Sequence, residues 1–417
     1  MLSSSLLGAK LAAAPASTPS PSPISSAFAE EVSRLYLDYN AGIPTEPQHL
    51  QKLCQHVGAG LANPSSQHFA GRKAKLLLEG ARSSIARSLG VLAEEIFFCS
   101  GATEANNLLL QGLLKAYWER ATTEKALPSI VYTAMEHPSL LLALKSLEQR
   151  GLCVLHCLPV CKTGVLSVEV LKAALTQDTF LVVLAAMNHE IGQRQDLLWE
   201  ALPELRRAFP RLLWLSDCVQ AYGKIPLSAL FVRGGLDYAS FSGHKIGALA
   251  GIGCFYIRAG HASTLTPLIW GGPQEKRQRA GTENLLGAVS MGLRAEELYQ
   301  RGGTLWTPES QEAYVWLRDA LQAIPGLVLH GAAGAFGNTL NFHVEGVPLA
   351  KLLLRFEADG VAVSTGSACS SGLVQPSSVL LAMGYSEDVA KNSIRLSLGP
   401  ATCRKELARI VRILESL

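Results

Sequence analysis

Lys245 has the surroundings that most invite chemistry. It stands in Phe241-Ser242-Gly243-His244-Lys245, after Leu236-Asp237-Tyr238-Ala239-Ser240, an apolar run suited to a buried strand. A strand end holds a side chain in place, and a lysine kept in a partly desolvated site can lose its proton and attack a carbonyl carbon. Alone, the motif reads equally as a solvated surface cation, so its companions decide. Ser100-Gly101-Ala102-Thr103-Glu104 joins the strand-like Glu95 to Cys99 to a helical pattern from Ala105 to Trp118. Such a turn offers free backbone N–H groups and the Thr103 hydroxyl to a phosphate, although an ordinary N-capped helix has the same form. His137, His189, Asp217, Gln220 and His244 also follow strand-like runs. In sheets of parallel strands, ligands sit beyond the carboxyl ends, so one site would gather all of these residues.

The elements that must position them alternate. Strand-like runs at 129–133, 153–159, 179–186, 212–216 and 238–241 are separated by amphipathic stretches such as 138–149 and 197–209. This is an α/β pattern with a mostly parallel central sheet flanked by helices. A helix is expected over 70–89, a polar loop over 271–284 and a helix from Leu285. Beyond about Gly302 the texture changes to helix (309–323), strands (327–330, 339–344) and helix (349–359). A small-residue loop holding Cys369 follows, then two final helices around 394–398. We therefore expect a large domain over 46–301, a smaller α+β domain from 29–45 with 302–417, and a flexible extension over 1–28.

The 417 residues are 48% hydrophobic and 17% charged with a net charge of +3, as in a well-buried globular enzyme. No basic run interleaved with aromatics points to nucleic acid, and the apolar runs are too short and interrupted for a membrane span. Nine cysteines at irregular spacings read as reduced thiols, which suggests the cytoplasm. The Ser/Ala/Pro-rich start fits an organellar transit peptide poorly. Cys153, Cys157 and Cys161 share one face of an extended segment. No CxxC pair or histidine cluster completes a metal set, so they are expected to be packing thiols and no metal site is expected. No G-x-G-x-x-G follows the first strand, which argues against a nicotinamide dehydrogenase.

Together these motifs resemble the class V aminotransferases of pyridoxal phosphate (PLP) fold-type I, and within them the cysteine desulfurases of the NifS/IscS type. The resemblance runs from about Leu35 to the C-terminus. It implies that Lys245 binds the cofactor and moves protons, that Asp217 faces the ring nitrogen, that Gln220 meets the phenolic oxygen and that His137 stacks on the ring. It assigns the phosphate to Ala102, Thr103, Ser242 and His244, with Thr282 contributed by the second subunit of a homodimer. Arg395, in Ser393-Ile394-Arg395-Leu396-Ser397, matches the arginine that grips the carboxylate of the substrate L-cysteine, with Asn40 nearby. Cys369, in Ser364-Thr365-Gly366-Ser367-Ala368-Cys369-Ser370-Ser371-Gly372, matches the thiol that takes the substrate sulfur as a persulfide. That sulfur would pass to an acceptor protein, as in iron–sulfur cluster assembly or tRNA thiolation.

Met187-Asn188-His189-Glu190-Ile191-Gly192 departs from this pattern, because His189 replaces an asparagine that contacts the cofactor. Imidazole can donate one hydrogen bond, but it is bulkier and its charge depends on pH. Ala41-Gly42-Ile43-Pro44 and Gly271-Gly272-Pro273 depart as well. A selenocysteine lyase shares these features, and a non-catalytic sulfur-transfer scaffold is the reading of another class.

Overall fold

A seven-stranded sheet carries most of the polar residues singled out above. The computed structural model describes residues 34–58, 61–120, 126–232, 235–332, 336–365 and 375–417. The expected extension over 1–28 and the loop holding Cys369 lie outside these residues. Residues Leu35–Leu417 form one compact unit.

The strands are β1 (Leu35–Tyr36), β2 (Ile96–Cys99), β3 (Ser129–Thr133), β4 (Val154–Leu158), β5 (Thr179–Val183), β6 (Leu213–Asp217), β7 (Tyr238–Ser242) and β8 (Gly253–Ile257). They continue as β9 (Leu327–His330), β10 (Thr339–Val344), β11 (Val361–Ala362), β12 (Ser364–Thr365) and β13 (Ile394–Ser397). The large sheet runs β2-β8-β7-β6-β5-β3-β4. Only β8 runs antiparallel to its neighbours, so the expected mostly parallel sheet holds. Its central strands are apolar almost without a break because both faces are covered. Phe98, Val131, Val182, Trp214 and Phe241 enter one core. Their sequence neighbours Phe97, Ile130, Leu181 and Leu215, and Tyr238 three residues before Phe241, enter the other. This is the two-residue alternation of a pleated strand.

A second, antiparallel sheet runs β12-β13-β10-β9, and β1 pairs with β11 in parallel. Leu37, Leu340, Phe342, Phe356, Leu396 and Leu407 fill the core beside it.

Two expectations are corrected. Residues 394–398 are not helical: β13 is fully buried, between β12 and β10. A short apolar run fits a buried strand and a buried helix turn equally well by periodicity. The Gly399-Pro400 stop decides, since it leaves room for only four or five residues. Of the three cysteines expected to pack, only Cys153 is buried, whereas Cys157 and Cys161 are exposed. Strand β4 lies at the sheet edge, where Val154, His156 and Cys157 meet solvent and only Leu158 is buried. Among the described residues, no cluster of His, Cys, Asp and Glu could hold a metal ion, and no helix is long and apolar enough to cross a membrane.

Gly253 shows how tightly the sheet holds the strand ends together. It sits between Cys99 of β2 and Ser242 of β7. An added Cβ would lie 2.5 Å from the Phe241 carbonyl oxygen and 2.6 Å from the Gly101 Cα. Backbone cannot yield as a side-chain tip can, so Gly253→Ala should destabilise the fold by about 1–3 kcal/mol. Gly80, in the exposed face of helix Phe69–Leu89, has nothing within 4 Å of such a Cβ. Gly80→Ala should therefore stabilise by about 0.5–1 kcal/mol. Urea unfolding of the two variants checks both signs.

Candidate active site

The carboxyl ends of the parallel strands surround a cavity of about 760 Å³. Asp217 is the last residue of β6, and Ser242 the last of β7. A short 3-10 turn, Gly243–Ile246, carries His244 and Lys245 beyond β7. Ala102 and Thr103 open the helix Ala102–Glu119, one turn past β2. His137 caps the helix Pro138–Gln149, its Nδ1 accepting from the Ser139 N–H at 3.1 Å. Each of these residues lines the cavity, as do Asn40, His189, Gln220 and Arg395. Cys369 lies outside the described residues. Thr282, expected to serve the site of a second subunit, lines a neighbouring cavity of about 100 Å³ with Ser100, Gly251 and Arg279.

Asn40 holds the parts in register. Its backbone N–H donates to Ser397 Oγ at 2.9 Å. Its carbonyl oxygen accepts from Lys245 Nζ at 2.6 Å and from Gln220 Nε2 at 2.9 Å. Its side-chain Nδ2 donates to Thr339 Oγ1 and to the His189 carbonyl, while Oδ1 accepts from Lys224 Nζ and Asn338 Nδ2. Lys245 Nζ also donates to the Ala41 carbonyl at 2.9 Å, so neutral oxygens hold the amine. Arg395 donates to Asp38 at 2.7 Å and to the His189 carbonyl at 3.0 Å, and its Nε is buried with no partner.

The electrostatics favour uncharged bases. Burial, with the Arg395 charge, brings Lys245 down to about 8, while Asp38 and Asp217 act the other way. Burial and then Lys245 bring His244 down to about 4. His137 is also lowered by burial, against the pull of Asp217. His189 is held well below the usual imidazole range by burial, His137, Arg395 and Lys245, and its ring meets that of His137 edge-on at 5.3 Å. Near neutral pH the site thus presents three neutral imidazoles and an amine that gives up its proton readily.

The sequence reading missed several residues. Asp38 shares Arg395, and Glu190 lines the cavity while its carboxylate accepts from Ser377 Oγ at 2.5 Å. Lys224 is buried beneath Gln220. Glu275 accepts from Arg82 at 2.7 and 2.9 Å and from the Phe98 N–H. That buried pair holds Glu275, Lys276 and Arg277 at φ of 45°, 53° and 68°, a left-handed run without glycine that leads towards Thr282. Lys224, four residues after Gln220, was the member with a readable signal, as the one cation in an otherwise apolar stretch.

The chain matches the family described as Aminotransferase class-V over residues 35–410. It belongs to that family. It is 34% identical over 388 residues to a protein named cysteine desulfurase IscS from Rickettsia typhi, covering 91% of this chain and 90% of the relative. Among solved structures it is similar to a NifS-like protein at TM-score 0.81 and 30% identity, covering 92% of this chain and 98% of the other. A structure described as SspA in complex with cysteine aligns at TM-score 0.75 and 27% identity, covering 88% of this chain and 99% of that one. Among class V aminotransferases, as in other α/β sheets, a ligand site at strand ends is the expected place for chemistry.

The depressed Lys245 amine is directly measurable. In the protein without added cofactor, the acylation rate of Lys245, followed by peptide mass spectrometry, should rise with pH through a midpoint near 8 rather than near 10.5. Arg395→Gln should move that midpoint upward. A wild-type midpoint near 10.5 would contradict the desolvated site.

Proposed function

We propose that this class V chain is a PLP-dependent cysteine desulfurase. It would convert L-cysteine to L-alanine and pass the sulfur, through a persulfide on Cys369, to an acceptor protein. The observation carrying the reading is the convergence of Lys245, Asp217 and Arg395 on one cavity, in a chain that aligns with a named cysteine desulfurase over nine tenths of both lengths. These names favour the desulfurase over a selenocysteine lyase or a non-catalytic scaffold.

The donor set fits the cofactor. Asp217 is a buried carboxylate whose hydrogen-bond partners are neutral, the Asn106 amide and the Val219 N–H, so it is placed to pair with a protonated ring nitrogen. The start of helix Ala102–Glu119 and the Ser242 hydroxyl suit a phosphate. When bound, PLP supplies an electron-withdrawing ring that labilises bonds at the substrate α and β carbons.

The protein's own residues supply the rest. Arg395 orients the substrate carboxylate, and Asp38 holds the guanidinium plane. Lys245, whose amine gives up its proton readily, would hold the cofactor and would carry the α-proton. The Cys369 thiolate would form a new S–S bond as the substrate Cβ–S bond breaks; that bond's electron pair stays with the substrate carbon, which takes up a proton to give alanine, and a persulfide is left on Cys369. Its part rests on the resemblance of Ser364 to Gly372 to the family loop.

The finer points belong to the same proposal. The chain would work as a homodimer, with Thr282 completing the partner's phosphate site. Residues 29–45 and 302–417 would act as a small domain carrying the cysteine loop, against a large PLP-binding domain over 46–301. The eight described cysteines are all free thiols, which supports a reducing compartment such as the cytoplasm.

Cys369→Ser should keep the visible absorbance of bound cofactor while alanine release from cysteine falls roughly a thousandfold or more. Unchanged alanine release in that variant would overturn the persulfide step.

A further inference from the structure

Lys224 is a lysine in a place where lysines are costly. It is 4% exposed, its Nζ lies 5.7 Å from the centre of the Trp306 ring, and it forms no ion pair among the described residues. Burial, with Lys245 and Arg395 nearby, holds its pKa well below the ordinary value. A neutral amine carries two hydrogens, and two acceptors are present. Lys224 Nζ donates to Asn40 Oδ1 at 2.6 Å and to Gln220 Oε1 at 2.7 Å.

The consequence concerns amide orientation. Either end of a glutamine amide fits the same space, and hydrogen-bond partners alone decide which faces where. A donor at Oε1 forces the Gln220 NH2 group to the opposite side, where it donates to the Asn40 carbonyl at 2.9 Å and borders the cavity. The same amine sets Asn40, whose NH2 group is thereby directed to Thr339 and His189. The Asn40 carbonyl, which accepts from the Gln220 NH2 group, and Asn338 Nδ2, a second donor to Asn40 Oδ1, act in the same sense.

We propose that Lys224 is a positioning residue: its hydrogen bonds fix the Gln220 amide with its donor edge towards the cavity, so that Gln220 can only donate to the phenolic oxygen of the cofactor. The inference rests on the proposed PLP site and adds to it a residue that never touches the cofactor. A lysine kept only for packing would be replaceable by methionine, which matches its length and removes a buried polar group. Lys224→Met leaves the buried Gln220 Oε1 without its donor, so it should lower stability while changing the site.

The decisive experiment is a double-mutant cycle in the holoprotein, read by the pH midpoint of the visible band of lysine-bound cofactor. Removing a donor from a charged oxygen makes that oxygen hold its proton more tightly. Lys224→Met should thus raise the midpoint by about one pH unit. Gln220→Ala should raise it similarly, and Lys224→Met in the Gln220→Ala background should add nothing. Lys224→Gln retains a donor, should shift the midpoint less, and serves if the methionine variant folds poorly. An unmoved midpoint in Lys224→Met, or additive shifts in the double variant, overturns the inference while leaving the cofactor site standing. A wild-type protein that gives no visible band with added PLP overturns the cofactor reading itself, and this inference with it.

Discussion

The carbonyl oxygen of Asn40 accepts from Lys245 and Gln220 together, and the rest of the site is arranged around that contact. Asn40 lies just beyond the β1 segment, whereas Lys245 and Gln220 follow the ends of β7 and β6. The same residue reaches Ser397 of β13 and Thr339 of β10. One residue with every polar group engaged therefore joins the large sheet, the small sheet and the start of the described chain. Such a network rigidifies when every member is satisfied, and any loss leaves a buried polar atom without a partner.

Charge explains why so much polar structure is needed. Lys245 and Arg395 line one cavity and Lys224 is buried close to them; Asp38 pairs with Arg395, and Asp38 and Asp217 favour the charged form of Lys245. Burial first, and neighbouring positive charges second, disfavour the charged forms, and the nearby histidines and lysines are shifted downward accordingly. His189 fits this environment as a neutral ring. Protonating it would add a further positive charge beside His137, Arg395 and Lys245. The asparagine expected there from the family pattern is replaced by a group that behaves, in this setting, as another uncharged polar side chain.

Much of this was legible in the sequence. Runs that are apolar on both faces read as central strands, and polar residues at their ends read as one site, because a parallel sheet leaves few other places for them. The less legible parts share a cause. Strand β13 escaped because a buried four-residue run has no periodicity of its own, although Arg395 within it was identified. Cys157 was misread because nothing local tells an edge strand from a central one. Asp38, Glu190 and Lys224 do their work through partners far away in sequence, and only the folded chain brings those together.

The central claim is that Lys245, held on the Asn40 carbonyl, is the amine that engages the cofactor. Two lysines lie close to Asn40, so the claim separates cleanly from its alternative. Reductive trapping of PLP on the wild-type protein, followed by peptide mass mapping, should place the cofactor mass on Lys245 alone. A label on Lys224, or on no lysine in this cavity, would contradict the account.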